Sequence, residues 1–302
     1  MNPVEASKPK MTDFVRRKAL LVLLALGALY FVWGSTYIAM RFAIDSFPPF
    51  MMAALRFVIA GALLYGWLRL RGSPNPNRAE WLGAAAVGTL LLVSGNAAVA
   101  YAQQTIATGV AALSIATVPL WMALFSGLWG QWPNRREWLG ILIGTVGVVV
   151  LNLGGNMQAS PLGAALLMLA AASWAFGSAW GKHLAMPAGA MGSAAQMLVA
   201  GAMLVIISLV SGEQWPADPS LKSLLAIAYL VVFGSLVAYS AYLYLLKTVR
   251  PALATSYAFV NPLVAIFLGV WLAGEHISGY EYAALAIIVT GVLLVLPFKR
   301  SN

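Results

Sequence analysis

The sequence predicts an all-α integral membrane protein whose ten transmembrane helices form two inverted five-helix repeats. Three observations lead to this fold class: a very apolar composition, long apolar runs separated by short polar breaks, and an internal repeat that relates the two halves of the chain. Apolar residues make up 61% of the 302 residues and charged residues only 9%, whereas a soluble domain carries about a quarter charged residues. Lipid must therefore surround most of the chain.

Ten apolar runs cover most of the sequence, and each approaches the ~20 residues that a helix needs to cross a hydrocarbon core. Lipid offers the backbone no hydrogen bonds, and the runs are far longer than the strands of a membrane barrel, so they must be helices. We expect a basic segment at 1–18, a first repeat at 19–154, a second repeat at 160–297 and a short tail at 298–302. The predicted spans are 19–40, 49–70, 81–103, 107–129, 136–154, 160–183, 190–211, 221–246, 250–273 and 278–297.

The distribution of Lys and Arg predicts the orientation of these spans, because short cytoplasmic loops are enriched in both. With the amino terminus inside, 15 of the 18 basic residues fall in cytoplasmic segments, Arg41 and Lys222 fall outside, and Arg56 lies within the second span. We therefore expect a bacterial inner-membrane protein with both termini in the cytoplasm. The dispersal of basic residues also argues against nucleic-acid binding, despite a net charge of +9.

The two halves of the chain share scarce residues in one register. At a shift of 143, which becomes 144 after one inserted residue, the matching pairs are Gly34 and Gly177, Ser35 and Ser178, Tyr101 and Tyr244, Thr105 and Thr248, Pro119 and Pro262, Leu120 and Leu263, Glu137 and Glu281, and Gly147 and Gly291. Because five is odd, the second copy must cross the membrane in the opposite sense. Inverted repeats allow two packings, open inward or open outward, around a site near the midplane. An ancient duplication in a membrane enzyme or scaffold is the alternative.

Five segments carry a family resemblance: WGSTYIAMR (33–41), PPFMMAALRF (48–57), YAQQTIATGVAALSIATVPLWMALF (101–125), ALATSYAFVNPLVAIFLGVWLAGE (252–275) and YAALAIIVTGV (282–292). Together they resemble the drug/metabolite transporter superfamily, specifically its EamA type with two tandem domains. The resemblance covers nearly the whole chain and implies a ten-helix fold with a central cavity that exports small metabolites or toxic compounds. Members differ widely in substrate, so the resemblance names none. In one departure, Gln131 and Trp132 stand where the second half has Gly274 and Glu275.

The matched prolines Pro119 and Pro262 fall inside the fourth and ninth predicted spans. A proline removes one backbone hydrogen bond and frees a carbonyl about four residues upstream, which can kink a helix or line a cavity. Paired interruptions at corresponding positions are a pointer to a transport site. A plain packing kink is the alternative interpretation.

Polar and aromatic side chains within the spans are the candidate substrate-binding residues, because polar groups are costly in hydrocarbon and should face the interior. Tyr257 and Asn261, for example, are four residues apart and share one helix face. Aromatic faces suit planar, cationic or zwitterionic solutes, such as amino acids or amphiphilic aromatic compounds. An interfacial belt is the other interpretation, and it is equally favoured for Tyr101 and Tyr244. The candidates are Trp33, Tyr37, Asn96, Tyr101, Gln104, Ser114, Trp174, Ser178, Tyr239, Tyr257 and Asn261.

Arg56 is the one fixed charge well inside a predicted span. It lies about seven residues, or roughly 10 Å, from the outer end of the second helix. At that depth it could bind an anionic group or extend its charge toward the interface. Because it belongs to the Leu55–Phe57 segment that carries the family resemblance, a structural role is the favoured interpretation.

The sequence lacks the residues that proton-coupled carriers, enzymes and ATP-driven pumps would need. No Asp or Glu lies deep in any span, so a proton-coupled mechanism has no visible carrier and uniport or exchange stays open. The chain has no cysteine, its two histidines, His183 and His276, fall at opposite faces, and Gly181-Lys182 does not continue as a phosphate loop. We therefore expect no enzyme, metal or cofactor.

The expected partners are a small-molecule substrate and the lipid bilayer, with the chain a monomer or a homodimer. A facilitative channel or uniporter is the main alternative to a carrier, although a channel would need a polar ring or filter that the sequence does not repeat. Small-residue spacings such as Gly140 to Gly144 and Gly177 to Gly181 suit close helix packing, which we interpret as intramolecular.

Overall fold

The computed structural model describes residues 11–102, 104, 115–152, 161–273 and 279–295. Within these ranges the chain is helical and contains no strand. Ser114, Glu275, His276 and the first part of the predicted span 107–129 lie outside the described residues.

Ten helical segments of ten residues or more lie within the described ranges once contiguous pieces are joined. They are α1 (11–44), α2 (Pro49–Leu70), α3 (Arg78–Ala102), α4 (Val118–Gly127), α5 (Arg135–Asn152), α6 (Pro161–Trp180), α7 (Ala190–Val210), α8 (Leu221–Thr248), α9 (Tyr257–Ala273) and α10 (Gly279–Val295). Five of them, namely α1, α2, α3, α7 and α8, are long and apolar enough to cross a membrane. The predicted all-α membrane class is confirmed, while the count of ten spans stays a prediction.

The outer surface of the bundle is apolar, as a lipid-facing surface should be. Leu70 at the end of α2 is 90% exposed and Val210 at the end of α7 is 83% exposed. Leu23 and Leu24 on α1 are also mainly exposed. A protein surrounded by water rarely presents so many large apolar side chains in continuous stretches, so this surface fits the hydrocarbon.

Helices α3 and α5 begin with the same local device. Asn77 and Glu80 form a capping box at the start of α3. At α5, the Asn134 N–H donates to Glu137 Oε2 at 2.8 Å and the Glu137 N–H donates to Asn134 Oδ1 at 2.9 Å. Each box satisfies two backbone donors that a helix start leaves unpaired, so the Asn-Arg-x-Glu sequence sets both starting points.

The start of α2 is fixed by a residue from the far half of the chain. Pro49 occupies the first turn, where its missing N–H costs nothing. The Glu213 carboxylate accepts hydrogen bonds from the N–H groups of Phe50, at 3.1 Å, and Met51, at 2.7 Å. A carboxylate is stabilised at a helix N-terminus by the free N–H groups and the helix dipole, so Glu213 ties the end of α7 to α2.

In the described part of the chain, three helices contain π-helical segments: Leu29–Trp33 in α1, Thr89–Ala97 in α3 and Leu230–Tyr239 in α8. The last two occupy corresponding places in the two halves at the repeat shift of 143 residues. Segments with π-helical hydrogen bonding are rare and often lie at functional sites. Because their side chains advance by a different angle from those of an α-helix, the sequence spacing alone does not predict which residues of α3 and α8 point inward.

Helix packing reflects the repeat. Helix α2 packs along α7, and α5 packs along α10, so each of these helices meets its own sequence equivalent. Helix α1 packs against α8 and α9, while its equivalent α6 packs against α3 and α4. Exchanging the helices of these pairs for their sequence equivalents therefore gives pairs that are also in contact.

Glycines allow the α5–α10 pair to approach closely. A Cβ atom added at Gly291 would lie 2.6 Å from the backbone nitrogen of Gly144 and 2.8 Å from the carbonyl oxygen of Gly140. Gly177 of α6 similarly meets Leu90 and Leu91 of α3. Backbones in contact at small residues gain the van der Waals packing that holds membrane helices together. The spacings Gly140 to Gly144 and Gly177 to Gly181 therefore serve packing between helices of the same chain.

Candidate functional site

A cavity of about 60 Å³ lies in the centre of the bundle. Since one water molecule needs roughly 10–15 Å³ measured in this way, the cavity has room for a few waters, and a larger solute requires the helices to separate. Helices α1, α2, α3, α6 and α9 supply most of its wall. The lining residues are Trp33, Thr36, Tyr37, Met40, Arg56, Gly95, Asn96, Val99, Ile115, Val118, Ala170, Trp174, Tyr257 and Asn261.

Four aromatic side chains, Trp33, Trp174, Tyr242 and Tyr257, form a cluster beside the cavity. We call it the aromatic cluster. The Trp33 ring lies 4.8 Å from the Tyr257 ring and 5.5 Å from the Trp174 ring, both edge to face. Tyr242 completes the cluster, 5.2 Å from Trp33 and 5.6 Å from Tyr257. Edge-to-face aromatic pairs at these separations are stabilising, so rings from α1, α6, α8 and α9 hold one another in position.

Hydrogen bonds fix the orientation of the aromatic cluster. Trp33 Nε1 donates to the carbonyl oxygen of Gly234 at 3.1 Å, within the π-helical segment of α8. Trp174 Nε1 donates to the Tyr242 hydroxyl oxygen at 3.0 Å, and this hydroxyl also contacts Ser178 Oγ at 2.8 Å. With their polar atoms satisfied outside the cavity, the two tryptophans can present apolar faces to a solute.

Arg56 extends from α2 to the cavity wall and is 3% exposed. Its Nε donates to Ser235 Oγ at 2.7 Å and its Nη1 donates to Asn96 Oδ1 at 3.3 Å. The guanidinium also lies against the neighbouring Phe57 ring, with 5.0 Å from Cζ to the ring centre. In the described part of the chain the ion pairs are Lys222 with Asp45 and Arg250 with Glu137. Arg56 is therefore bound there by neutral groups only.

Helix α9 brings Tyr257 and Asn261 to the cavity wall. The helix begins at Tyr257, directly after a turn in which Thr255 Oγ1 donates to the Pro251 carbonyl at 3.0 Å. Asn261 is 3% exposed, and its Oδ1 has no hydrogen-bond partner within the described structure. Pro262 follows it inside the helix and is buried. The wall thus carries one unsatisfied acceptor.

Two further predicted residues, Ser178 and Tyr239, contact the aromatic cluster without lining the cavity. Ser178 Oγ donates to the Trp174 carbonyl at 2.7 Å in addition to its contact with Tyr242. Tyr239 is 2% exposed, its hydroxyl donates to Gln196 Oε1, and its ring lies 6.4 Å from that of Trp174. Neither lines the cavity, so a role in positioning the lining residues is what their contacts allow.

Three other predicted residues, Tyr101, Gln104 and Pro119, lie away from the cavity. Tyr101 is 44% exposed and stacks on Phe50 with 5.4 Å between ring centres. Together with Gln104 it lines a groove of about 680 Å³ at the predicted outer face. Pro119 lies in the first turn of α4 and lines a small crevice beside Glu137 and Arg250. Ser114 lies outside the described residues.

An ion pair joins the two halves of the chain at the predicted cytoplasmic face. Arg250, between α8 and α9, donates from Nε to Glu137 Oε1 and from Nη2 to Glu137 Oε2, the second bond at 2.8 Å. Arg250 Nη2 also donates to the Trp132 carbonyl at 3.1 Å. Bidentate arginine–carboxylate pairs are strong and geometrically specific. We call this ion pair the inner latch, and a groove of about 780 Å³ lies beside it.

Some contacts at the candidate site were not predicted from the sequence. Thr36 and Met40 line the cavity, and Ser235 holds Arg56. Thr36 is three residues from Trp33 and Met40 seven, which is the spacing of one helix face and could have identified both. Ser235 lies in a π-helical segment, and the inner latch joins residues 113 positions apart, so neither contact follows from local spacing.

Comparison with known proteins gives one family. The EamA-like transporter family matches the chain twice, at residues 19–153 and 161–296. The inner membrane transporter YedA of Escherichia coli (strain K12) is 48% identical over 280 residues, covering 92% of each chain. The transporter YvbV of Bacillus subtilis (strain 168) is 28% identical over 287 residues, covering 90% of each chain.

A chain of known crystal structure superposes with a TM-score of 0.75 at 22% identity and covers 90% of this chain and 95% of its own length. At this identity the likeness shows a shared fold. The two family matches span most of the sequence, and the identity to YedA extends across nearly all of it. The chain therefore belongs to the EamA-like transporter family of the drug/metabolite transporter superfamily.

Proposed function

We propose that the chain is a secondary transporter of the bacterial inner membrane that exports small metabolites by alternating access to the central cavity. The observation that supports this most is a polar and aromatic cavity inside an otherwise apolar bundle, with walls from both halves of the sequence. Amino acids and amphiphilic or aromatic compounds are the solute classes that suit such a lining. Membership of a transporter family agrees with this proposal.

The inner latch is a contact between the two halves of the chain that the proposed movement would break or keep. In alternating access around inverted repeats, one half rocks against the other about a central site. Glu137 belongs to the first half and Arg250 to the second, and their ion pair lies at the predicted cytoplasmic face. Opening toward the cytoplasm would therefore break this pair, and opening outward would keep it.

A crosslinking experiment tests the proposal. The chain has no cysteine, so Glu137→Cys/Arg250→Cys in the native background can be joined by a short bis-methanethiosulfonate reagent without other reactive thiols. Reconstituted protein would first be screened by counterflow against labelled amino acids, aromatic carboxylates, aromatic amines and sugars. We expect saturable counterflow of one class, loss of at least ten-fold after crosslinking, and recovery after reduction.

The two single-cysteine variants, treated with the same reagent, control for labelling of each thiol. Full counterflow in the crosslinked double variant would contradict a mechanism that opens this face. Flux that does not saturate with solute concentration would favour a facilitative channel.

A further inference from the structure

We propose that the central cavity selects solutes that carry one negatively charged group and one hydrogen-bond donor. Arg56 binds the charged group, and Asn261 Oδ1 accepts the hydrogen bond from the donor. This rests on the proposed function, since it assigns a substrate class to the same cavity. It narrows the classes that the sequence left open: a purely cationic aromatic solute would meet a buried positive charge. The proposal depends on three features of the cavity wall.

The first feature is the state of the Arg56 charge. Guanidinium stays protonated in proteins and offers five N–H donors. In the described structure, Arg56 donates from Nε to Ser235 and from Nη1 to Asn96. A buried charge without an opposite charge is costly. In the described part of the chain no carboxylate pairs with it. A carboxylate that enters the cavity would supply both the missing charge and a bidentate partner.

The second feature is the number of charges. Among the described residues that line the cavity, Arg56 is the only Lys, Arg, His, Asp or Glu. A carboxylate of charge −1 neutralises it, whereas a phosphate monoester with nearly two negative charges would leave an excess charge in a low-dielectric site. The wall therefore favours a carboxylate over a phosphate monoester.

The third feature is the unsatisfied acceptor on α9. Asn261 lines the same cavity, and its buried Oδ1 has no partner in the described structure. An unsatisfied buried acceptor costs about 1–3 kcal/mol. A solute N–H or O–H group placed there removes this cost, and the rings of Trp33, Trp174 and Tyr257 border the space for its apolar part. The proposed solute class therefore has three parts: a group with one negative charge, a hydrogen-bond donor and an apolar body.

Three small probes separate these contributions. Phenylalanine carries carboxylate and ammonium, 3-phenylpropionate carries carboxylate only, and 2-phenylethylamine carries ammonium only. Binding to purified wild-type protein would be measured by titration calorimetry. We expect phenylalanine to bind most tightly, 3-phenylpropionate next, and 2-phenylethylamine at least ten-fold more weakly than 3-phenylpropionate.

Variants assign each contribution to a residue. Arg56→Gln should weaken both carboxylates at least ten-fold and leave 2-phenylethylamine unchanged or improved. Arg56→Lys, which keeps the charge but loses the planar fork, should retain part of the affinity and serves as the test if the Gln variant does not fold. Asn261→Ala should weaken phenylalanine and not 3-phenylpropionate. Arg41→Gln, an exposed position on α1, is the matched control for loss of one positive charge and should change nothing.

Tighter binding of 2-phenylethylamine than of the carboxylates would overturn the proposal. Carboxylate affinity that Arg56→Gln leaves unchanged would also overturn it, and so would unchanged affinity in Arg56→Lys if the Gln variant does not fold. Absence of measurable binding for all three probes would also overturn it. Saturable counterflow of a sugar or an amine in liposomes, with none for either carboxylate, would leave the carrier function standing and reject the substrate class. Flux that never saturates would reject the carrier function, while the binding assay would still decide the role of Arg56.

Discussion

Two arginines of this protein are held in opposite ways. Arg250, whose side chain is 57% exposed, makes a bidentate pair with the buried carboxylate of Glu137 at the end of the bundle. Arg56, 3% exposed in the centre, contacts only neutral side chains in the described structure. Water screens Arg250, so of the two it needs a counter-charge less. We interpret the lack of a carboxylate at the buried arginine as a position kept for a charged solute, as proposed above.

The largest expected effect is a difference in protein stability between substitutions at the two sites, Glu137→Ala and Arg56→Gln. Glu137→Ala breaks the inner latch and removes the capping box of α5, so it should destabilise the protein by about 1–3 kcal/mol. Arg56→Gln removes a buried charge that has no opposite charge, so stability should stay level or rise. Thermal unfolding of both variants in detergent measures the contrast. A matched capping-box variant, Glu80→Ala at α3, separates the cap from the ion pair.

If Arg56→Gln destabilised the protein as much as Glu137→Ala, the arginine would be a structural element like its counterpart. The comparison between the two sites would then lose its basis. A Glu80→Ala effect as large as that of Glu137→Ala would show that the cap, and not the inner latch, carries the stability.

A smaller effect is expected from moving the Arg56 guanidinium without removing it. A Cβ atom at Gly234 would lie 2.8 Å from Arg56 Nη2, so Gly234→Ala must displace the side chain. We expect 3-phenylpropionate to bind about ten-fold more weakly, equivalent to ~1.4 kcal/mol, with an almost unchanged unfolding temperature. Gly66→Ala on α2, where an added Cβ meets nothing within 4 Å, is the control. Equal affinities in both variants would mean that the guanidinium position is unimportant.

The smallest effect should come from the neutral partner of Arg56. Ser235→Ala removes the acceptor of the 2.7 Å bond from Nε, and one such hydrogen bond contributes about 1 kcal/mol. Because Asn96 still holds Nη1, 3-phenylpropionate affinity should fall only about five-fold. Ser240→Ala, on α8 with a buried hydroxyl that has no partner in the described structure, is the matched control. A greater loss for Ser240→Ala than for Ser235→Ala would argue against positioning by Ser235.

Much of this fold follows from the sequence, because lipid imposes simple rules. Apolar runs must be helices, and the second predicted span, 49–70, coincides with α2. The scarce residues shared by the two halves indicated two repeats, and the helix contacts follow the same equivalences. Trp33, Tyr257 and Asn261 were predicted to line the site and do lie at the cavity, since a polar or aromatic group inside a span has few other places to point.

The rest required three-dimensional structure. Tyr101 lies at the end of α3 and Gln104 just after it, where the sequence cannot separate a cavity wall from the membrane interface, and both line the outer groove. Tyr239 was expected at the site, but its hydroxyl donates to Gln196 and it does not line the cavity, whereas Asn96, its equivalent in the first half, does. The partners of Arg56 and of Arg250 come from distant positions, and pairing at such separations leaves no local pattern.

A structure of the protein with bound 3-phenylpropionate is the most direct test of the central claim, that Arg56 is kept without a carboxylate so that it can bind one from the solute. The account predicts that the probe's carboxylate lies within roughly 3 Å of the guanidinium, as expected for a charge-assisted bidentate pair, with the phenyl ring against Trp33 or Tyr257. A probe bound with its carboxylate elsewhere, and Arg56 still held only by Ser235 and Asn96, would contradict it.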